Sequence, residues 1–84
     1  MLGIQSKMAR AALGLGVRDL ARASGVSTDT IVRLERGEIL QARTIAALRT
    51  AFEAAGVIFI AENGGGAGVR LKHPAVTAQA SGDQ

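Results

Sequence analysis

Apolar residues recur at helical spacing near the start of the chain. Between residues 4 and 15 the apolar positions are Ile4, Met8, Ala11, Ala12 and Leu15. A spacing of three and four residues places such positions on one face of a helix. Ser6, Lys7 and Arg10 fall between them. The pattern predicts a first helix over residues 4–15, buried through its apolar face and ended by Gly14 and Gly16.

Three further helices are predicted before residue 57. Residues 17–23 place apolar and charged side chains on opposite sides, and Gly25 then permits a tight turn. Ser27 is a good N-cap for a third helix that runs to Arg36, with Ile31 and Leu34 inward and a glycine directly after it. Residues 42–55 repeat the helical spacing through Ile45, Leu48, Phe52 and Ala55.

The types of residue change after residue 56. Residues 57–60 read Val-Ile-Phe-Ile, residues 63–68 are rich in glycine, and residues 69–72 alternate apolar and basic side chains. This succession predicts a β-hairpin. The last residues carry no periodic pattern. We therefore predict a mainly α fold with a helix-turn-helix bundle of four helices (residues 1–56), a short hairpin extension (57–72) and a disordered tail (73–84).

Composition removes most catalytic chemistry. The chain has 84 residues, no cysteine and a single histidine, His73. Thiolate nucleophiles, disulfides and cysteine or histidine metal centres are therefore excluded, and no paired carboxylates have catalytic spacing. We expect no enzymatic activity, no metal and no cofactor. Because the longest apolar run, residues 57–61, is too short to span a bilayer, we expect a soluble cytoplasmic protein without a membrane partner.

Charge is concentrated in the first half of the chain. The net charge is +3 at pH 7. Residues 1–43 carry seven basic and four acidic side chains, whereas residues 44–84 carry three of each. Any basic surface that faces a partner is expected within the first half.

Residues 20–37 carry a recognisable motif. The run Leu-Ala-Arg-Ala-Ser-Gly-Val-Ser at residues 20–27, followed by Ile31 and by Leu-Glu-Arg-Gly at residues 34–37, has helix-turn-helix spacing. Over residues 4–56 the sequence resembles the Cro/CI-type (XRE) helix-turn-helix family. This resemblance implies a structural ion pair between Arg10 and Glu35, and no catalytic role for that carboxylate.

The resemblance also implies a DNA-reading face. In DNA-binding members the third helix enters the major groove, which assigns base reading here to Thr28, Asp29, Val32 and Arg33. Helical geometry places these four residues and Arg36 within one outward arc of about 140°. Arg43 stands where a basic residue can approach the DNA backbone.

Several positions depart from the family pattern. Gly16 and Val17 replace a hydroxyl or amide residue and a glutamine that contact phosphates in the family, and the usually basic or polar loop reads Glu-Ile-Leu-Gln at residues 38–41. Val17, Val32, Ile39 and Leu40 could thus form an apolar patch in place of DNA ligands. The alternative is that Val17 and Ile39 turn inward and fill the core.

Two functions fit these observations. In the first, the former DNA-reading face binds a transcription activator and inhibits it, resembling small helix-turn-helix antiactivators of bacterial mobile elements. That surface would contain Val17, Thr28, Asp29, Val32, Arg33, Arg36, Ile39 and Leu40. In the alternative, a repressor binds a palindromic operator. Its DNA contacts would be Thr28, Asp29, Arg33, Arg36 and Arg43. The sequence leaves homodimer formation open.

Overall fold

Four helices are followed by one β-hairpin. The computed structural model describes residues 1–73. The helices are α1 (Gly3–Leu13), α2 (Val17–Ser24), α3 (Thr28–Glu35) and α4 (Ala42–Ala54), and the strands are β1 (Val57–Ile60) and β2 (Gly68–Leu71). The predicted mainly helical fold with a terminal hairpin is confirmed. Apart from His73, which is exposed, the tail predicted at residues 73–84 lies outside the described residues.

The helix ends follow local backbone chemistry. α1 ends at Leu13, two residues before the predicted end, because Gly14 adopts a left-handed conformation with φ of 69°. Ser27 is the N-cap of α3, as predicted, and its Oγ accepts a hydrogen bond from the Thr30 N–H at 3.2 Å.

The core lies where the four helices and the hairpin meet. Phe52 is fully buried, and its ring contacts Phe59 edge to face with centroids 5.9 Å apart. Leu48 joins it on the inward face of α4, as the apolar spacing predicts. The buried hydrophobic residues are Ala9, Leu20, Ile31, Leu34, Leu48, Phe52 and Val57.

The predicted inward face of α1 is wrong. Gln5 and Ser6 are buried together with Ala9, whereas Ile4 is 53% exposed. Ala11 and Ala12, also predicted inward, are exposed. The polar side chains can be buried because both are hydrogen-bonded: Gln5 to the hairpin and Ser6 to α3. Specific hydrogen bonds, which an apolar pattern does not reveal, therefore determine the orientation of α1.

The hairpin packs onto the helices through one face. Its strands are antiparallel, with Val57 opposite Leu71 and Ile60 opposite Gly68. The Gln5 Nε2 donates to the carbonyls of Ile60 at 3.0 Å and Gly68 at 2.9 Å, so one side chain of α1 contacts both strands. Strand β1 also packs on α4 and β2 on α1. The hairpin and the helices therefore share one core.

Candidate nucleic-acid interface

A short turn sets the angle between α2 and α3. Gly25 ends α2 with φ of 77°, a conformation that favours glycine, and its N–H donates to the Ala21 carbonyl at 2.9 Å. Buried Leu20, Ile31 and Leu34 then hold the two helices together. With its inner side fixed in this way, α3 directs its opposite side outward.

That outward side of α3 contains the four positions predicted to read bases, together with Arg36. Thr28, Asp29, Val32, Arg33 and Arg36 are exposed, the last as the C-cap residue. Val32 is 40% exposed and is the one apolar member. The structure therefore brings the predicted residues together on one exposed surface. All of them except Val32 can form hydrogen bonds or ion pairs.

One carboxylate organises the C-terminal end of this face. The Arg33 Nε donates to the Glu38 Oε1 at 2.9 Å, and the Arg36 Nη2 lies 3.9 Å from the Glu38 Oε2. The hydrogen bond to Glu38, together with the charges of Glu38 and Asp29, raises the pKa of Arg33. Arg33 is thus a cation at neutral pH, as arginine is in proteins generally.

The start of α2 carries an acidic cap. The Asp19 Oδ2 accepts a hydrogen bond from the Gly16 N–H at 2.8 Å, and its Oδ1 lies 2.6 Å from the Arg22 Nη2. A carboxylate is favourable at a helix N-terminus because it faces the positive end of the helix dipole. The Asp19 carboxylate also takes up the Gly16 N–H, a donor at the helix start where the family resemblance implies phosphate contact. Arg18, the residue before Asp19, is an exposed cation that the sequence reasoning did not include among the DNA contacts.

Two members of the predicted apolar patch turn inward. Val17 and Leu40 are half-buried and pack against the core. Ile39, in contrast, is 97% exposed, and Val32 also faces outward. Only two of the four side chains are therefore available as an exposed apolar contact, which corrects the prediction of one continuous patch.

An apolar groove lies beside the C-terminal end of α3. Ile39 lines a groove of about 490 Å³ together with Leu2 and Ile4 from the start of α1. All three side chains are more than half exposed. The sequence does not reveal this groove because helical spacing places Ile4 in the core. Val32 does not line it.

Arg43 is also exposed, in the first turn of α4. Its Nε donates a hydrogen bond to the Oε1 of Gln41, the N-cap residue of the same helix, at 3.3 Å. This contact leaves the side chain accessible, as the predicted approach to a DNA backbone requires.

An ion pair joins α1 to the end of α3. The Glu35 carboxylate accepts hydrogen bonds from the Arg10 Nη2 at 2.6 Å, the Arg10 Nε at 2.9 Å and the Ser6 Oγ at 2.7 Å. Burial alone raises the pKa of Glu35, but the hydrogen bonds from Arg10 and Ser6 and the charges of Arg10 and Lys7 together lower it below its ordinary value. These three hydrogen bonds join α1 to the end of α3 and so help to hold α3 in place.

Residues 1–73 contain no group of three or more histidine, cysteine, aspartate or glutamate side chains placed to hold a metal ion. Among these same residues, no helix combines the length and apolar character needed to cross a membrane.

Comparison with known proteins agrees with the motif. The sequence profile described as a helix-turn-helix domain matches residues 2–57, which cover the four helices and the first residue of β1. A comparison with curated proteins gave no match. Such domains are typical of DNA-binding transcriptional regulators. The chain belongs to the helix-turn-helix domain family.

Proposed function

We propose that the protein regulates transcription by binding DNA in a sequence-specific manner, with α3 in the major groove. The observation that carries this proposal is the outward side of α3, where Thr28, Asp29, Arg33 and Arg36 are all exposed on a helix-turn-helix scaffold. Arginine pairs with guanine, and a carboxylate can accept from cytosine. In the Cro/CI-type arrangement that the Arg10–Glu35 pair supports, two copies would bind a palindromic operator.

Phosphate contacts would come from three exposed cations. Arg18 lies in the first turn of α2, Arg36 at the end of α3 and Arg43 in the first turn of α4. Cations at helix ends can contact the backbone on both sides of the groove that α3 enters. Because Asp19 and Glu38 offset part of this charge, we expect modest non-specific affinity and a correspondingly large share of base reading in total affinity.

Selection from a randomised DNA duplex library tests this proposal. We expect the wild type to enrich one sequence family and to bind it more weakly as salt rises. Arg33→Ala is expected to lower affinity for the enriched site about 5- to 150-fold, which corresponds to about 1–3 kcal/mol. Arg49→Ala is the matched control, because Arg49 pairs with Glu53 on α4 through the same 2.9 Å Nε contact. Failure to enrich any sequence would contradict the proposal.

A second candidate is inhibition of a transcription activator through the same face. Exposed Val32 and Ile39 and the carboxylates of Asp19 and Asp29 favour it, since these groups contribute little to phosphate binding. The inward packing of Val17 and Leu40 reduces the apolar area that such a complex would bury.

Partner capture separates the two candidates. If the face binds an activator, Val32→Asp should abolish recovery of a transcription activator from the native host, because a carboxylate in a desolvated apolar contact is unfavourable. Ile58→Asp is the control, since Ile58 is 37% exposed on β1, against 40% for Val32. Recovery of the same activator by both variants would exclude this candidate, as would tight sequence-specific DNA binding without any captured activator.

A further inference from the structure

The chain folds back on α3 immediately after the helix ends. Gly37 adopts φ of 100°, which an L side chain rarely adopts. Its N–H donates to the Leu34 carbonyl at 2.9 Å, and the Glu38 N–H donates to the Arg33 carbonyl at 3.1 Å. These two bonds form a Schellman motif, which fixes the backbone of Glu38 next to that of Arg33.

The side chains at the two ends of this motif are charged. A Schellman motif commonly brings two apolar residues together at these positions. Here the pair is Arg33 and Glu38, joined through the Arg33 Nε and the Glu38 Oε1 at 2.9 Å. Backbone and side chain therefore hold Glu38 to the same residue, Arg33, which the proposed function assigns to base reading.

The geometry of the contact leaves one edge of the guanidinium available. Glu38 accepts from Nε, and neither Nη atom of Arg33 donates a hydrogen bond within residues 1–73. Guanine presents its O6 and N7 acceptors in the major groove to a pair of N–H donors. An arginine held at Nε can offer both terminal nitrogens to that pair. Because the hydrogen bond to Glu38 restricts the side chain before binding, less conformational freedom is lost on contact with the base.

We infer that Glu38 is a positioning residue that presents the Nη edge of Arg33 to guanine, so that it increases base discrimination while its charge lowers affinity for unselected DNA. This inference rests on the proposed DNA-reading function. Loss of the carboxylate is therefore expected to change two quantities in opposite directions. Base discrimination falls because Arg33 is released, and affinity for unselected DNA rises because a negative charge near the phosphates is removed. A purely structural role would instead change affinity for all sequences in the same direction.

The test compares Glu38→Ala and Glu38→Gln with wild type on duplexes taken from the enriched site. Each base pair of that site is changed in turn, and the pair whose discrimination is lost in Arg33→Ala identifies the base that Arg33 reads. At that same pair, Glu38→Ala is expected to reduce discrimination about 2- to 12-fold. Affinity for a scrambled duplex should rise. Glu38→Gln retains an acceptor and should keep part of the discrimination.

Glu53→Ala provides the matched control. Glu53 bonds the Arg49 Nε at 2.9 Å on the exposed surface of α4, and the side-chain exposures of the two pairs are similar, 47%/48% there and 44%/47% for Arg33 and Glu38. This variant changes the net charge equally, so its discrimination should match wild type at every base pair.

The outcomes separate the inference from the proposed function. Suppose that the wild type enriches a sequence, but Glu38→Ala leaves discrimination unchanged or weakens it equally at every base pair. That result would overturn the inference and leave DNA reading intact. The inference also fails, with DNA reading intact, if Arg33→Ala loses discrimination at no pair. If the wild type enriches no sequence, the proposed function and this inference fall together.

Discussion

Removal of the Glu35 charge should destabilise the fold far more than removal of a surface charge. In Glu35→Gln the shape is kept, but the three hydrogen bonds at the carboxylate lose their ionic acceptor. The side chain of Glu35 is only 5% exposed and that of Arg10 is 20% exposed, so Arg10 would be left partly buried without a counter-ion. Unpairing a fully buried ion pair costs about 3–5 kcal/mol, and the partial exposure of Arg10 places the expected loss near 2–4 kcal/mol.

Urea denaturation followed by circular dichroism measures this loss as a change in the free energy of unfolding at pH 7. Glu53→Gln is the control, since its exposed pair with Arg49 should contribute about 0.3–0.5 kcal/mol. A combined Arg10→Met/Glu35→Gln variant should lose less than the sum of the two single losses, because neither charge is then left unpaired. Equal losses for Glu35→Gln and Glu53→Gln would refute the structural role of the ion pair.

The pH dependence provides an independent check. The folded protein lowers the pKa of Glu35, so the pair contributes its full stability above the unfolded carboxyl value of about 4.3. That contribution is lost as the pH falls through the lower folded value. The difference between wild type and Glu35→Gln should therefore be largest at neutral pH and shrink below about pH 4. A difference that stays constant from pH 7 to pH 3 would contradict this explanation.

The remaining predictions concern close packing and the hairpin. Gly3→Ala should destabilise the fold by about 2 kcal/mol or more, because the new Cβ would lie 2.1 Å from the Leu34 carbonyl oxygen. In Gly16→Ala the new Cβ would meet only the Asp19 side chain, at 3.4 Å. Thermal unfolding should therefore show a much smaller loss of stability for Gly16→Ala. Gln5→Ala should cost about 1–3 kcal/mol by removing the donor to both hairpin carbonyls. Amide hydrogen exchange in residues 57–71 should then accelerate, and unchanged exchange would contradict the role given to Gln5. Phe52→Ala should cost about 3–5 kcal/mol, measured in urea, since the ring is fully buried.

The sequence predicts the elements of this fold better than it predicts their orientations. Glycines at positions 14, 25 and 37 mark helix ends that the structure also shows, because each adopts a left-handed conformation. Apolar spacing identifies Leu48 and Phe52 correctly on α4. On α1 the same reasoning fails, since Gln5 and Ser6 are buried through hydrogen bonds to partners 55 and 29 residues away. Such distant partners leave no trace in local periodicity.

In the candidate interface, too, the sequence predicts some features and not others. Outward positions on α3 follow from helical geometry, and the five predicted residues are all exposed. The inward packing of Val17 and Leu40 depends on how the start of α2 and the loop before α4 lie against the core, which residue type alone does not specify. The contact between Arg33 and Glu38 likewise depends on the backbone turn at Gly37.

The most direct test of DNA reading by α3 is a map of backbone amide chemical shifts. Isotope-labelled protein is titrated with the enriched duplex, and shift changes are followed for residues 1–73. We expect the largest changes across α3 (Thr28–Glu35) and at the start of α2 near Gly16. Changes confined to the hairpin, or to the groove between Leu2 and Ile39, with α3 unaffected, would contradict DNA reading by this helix.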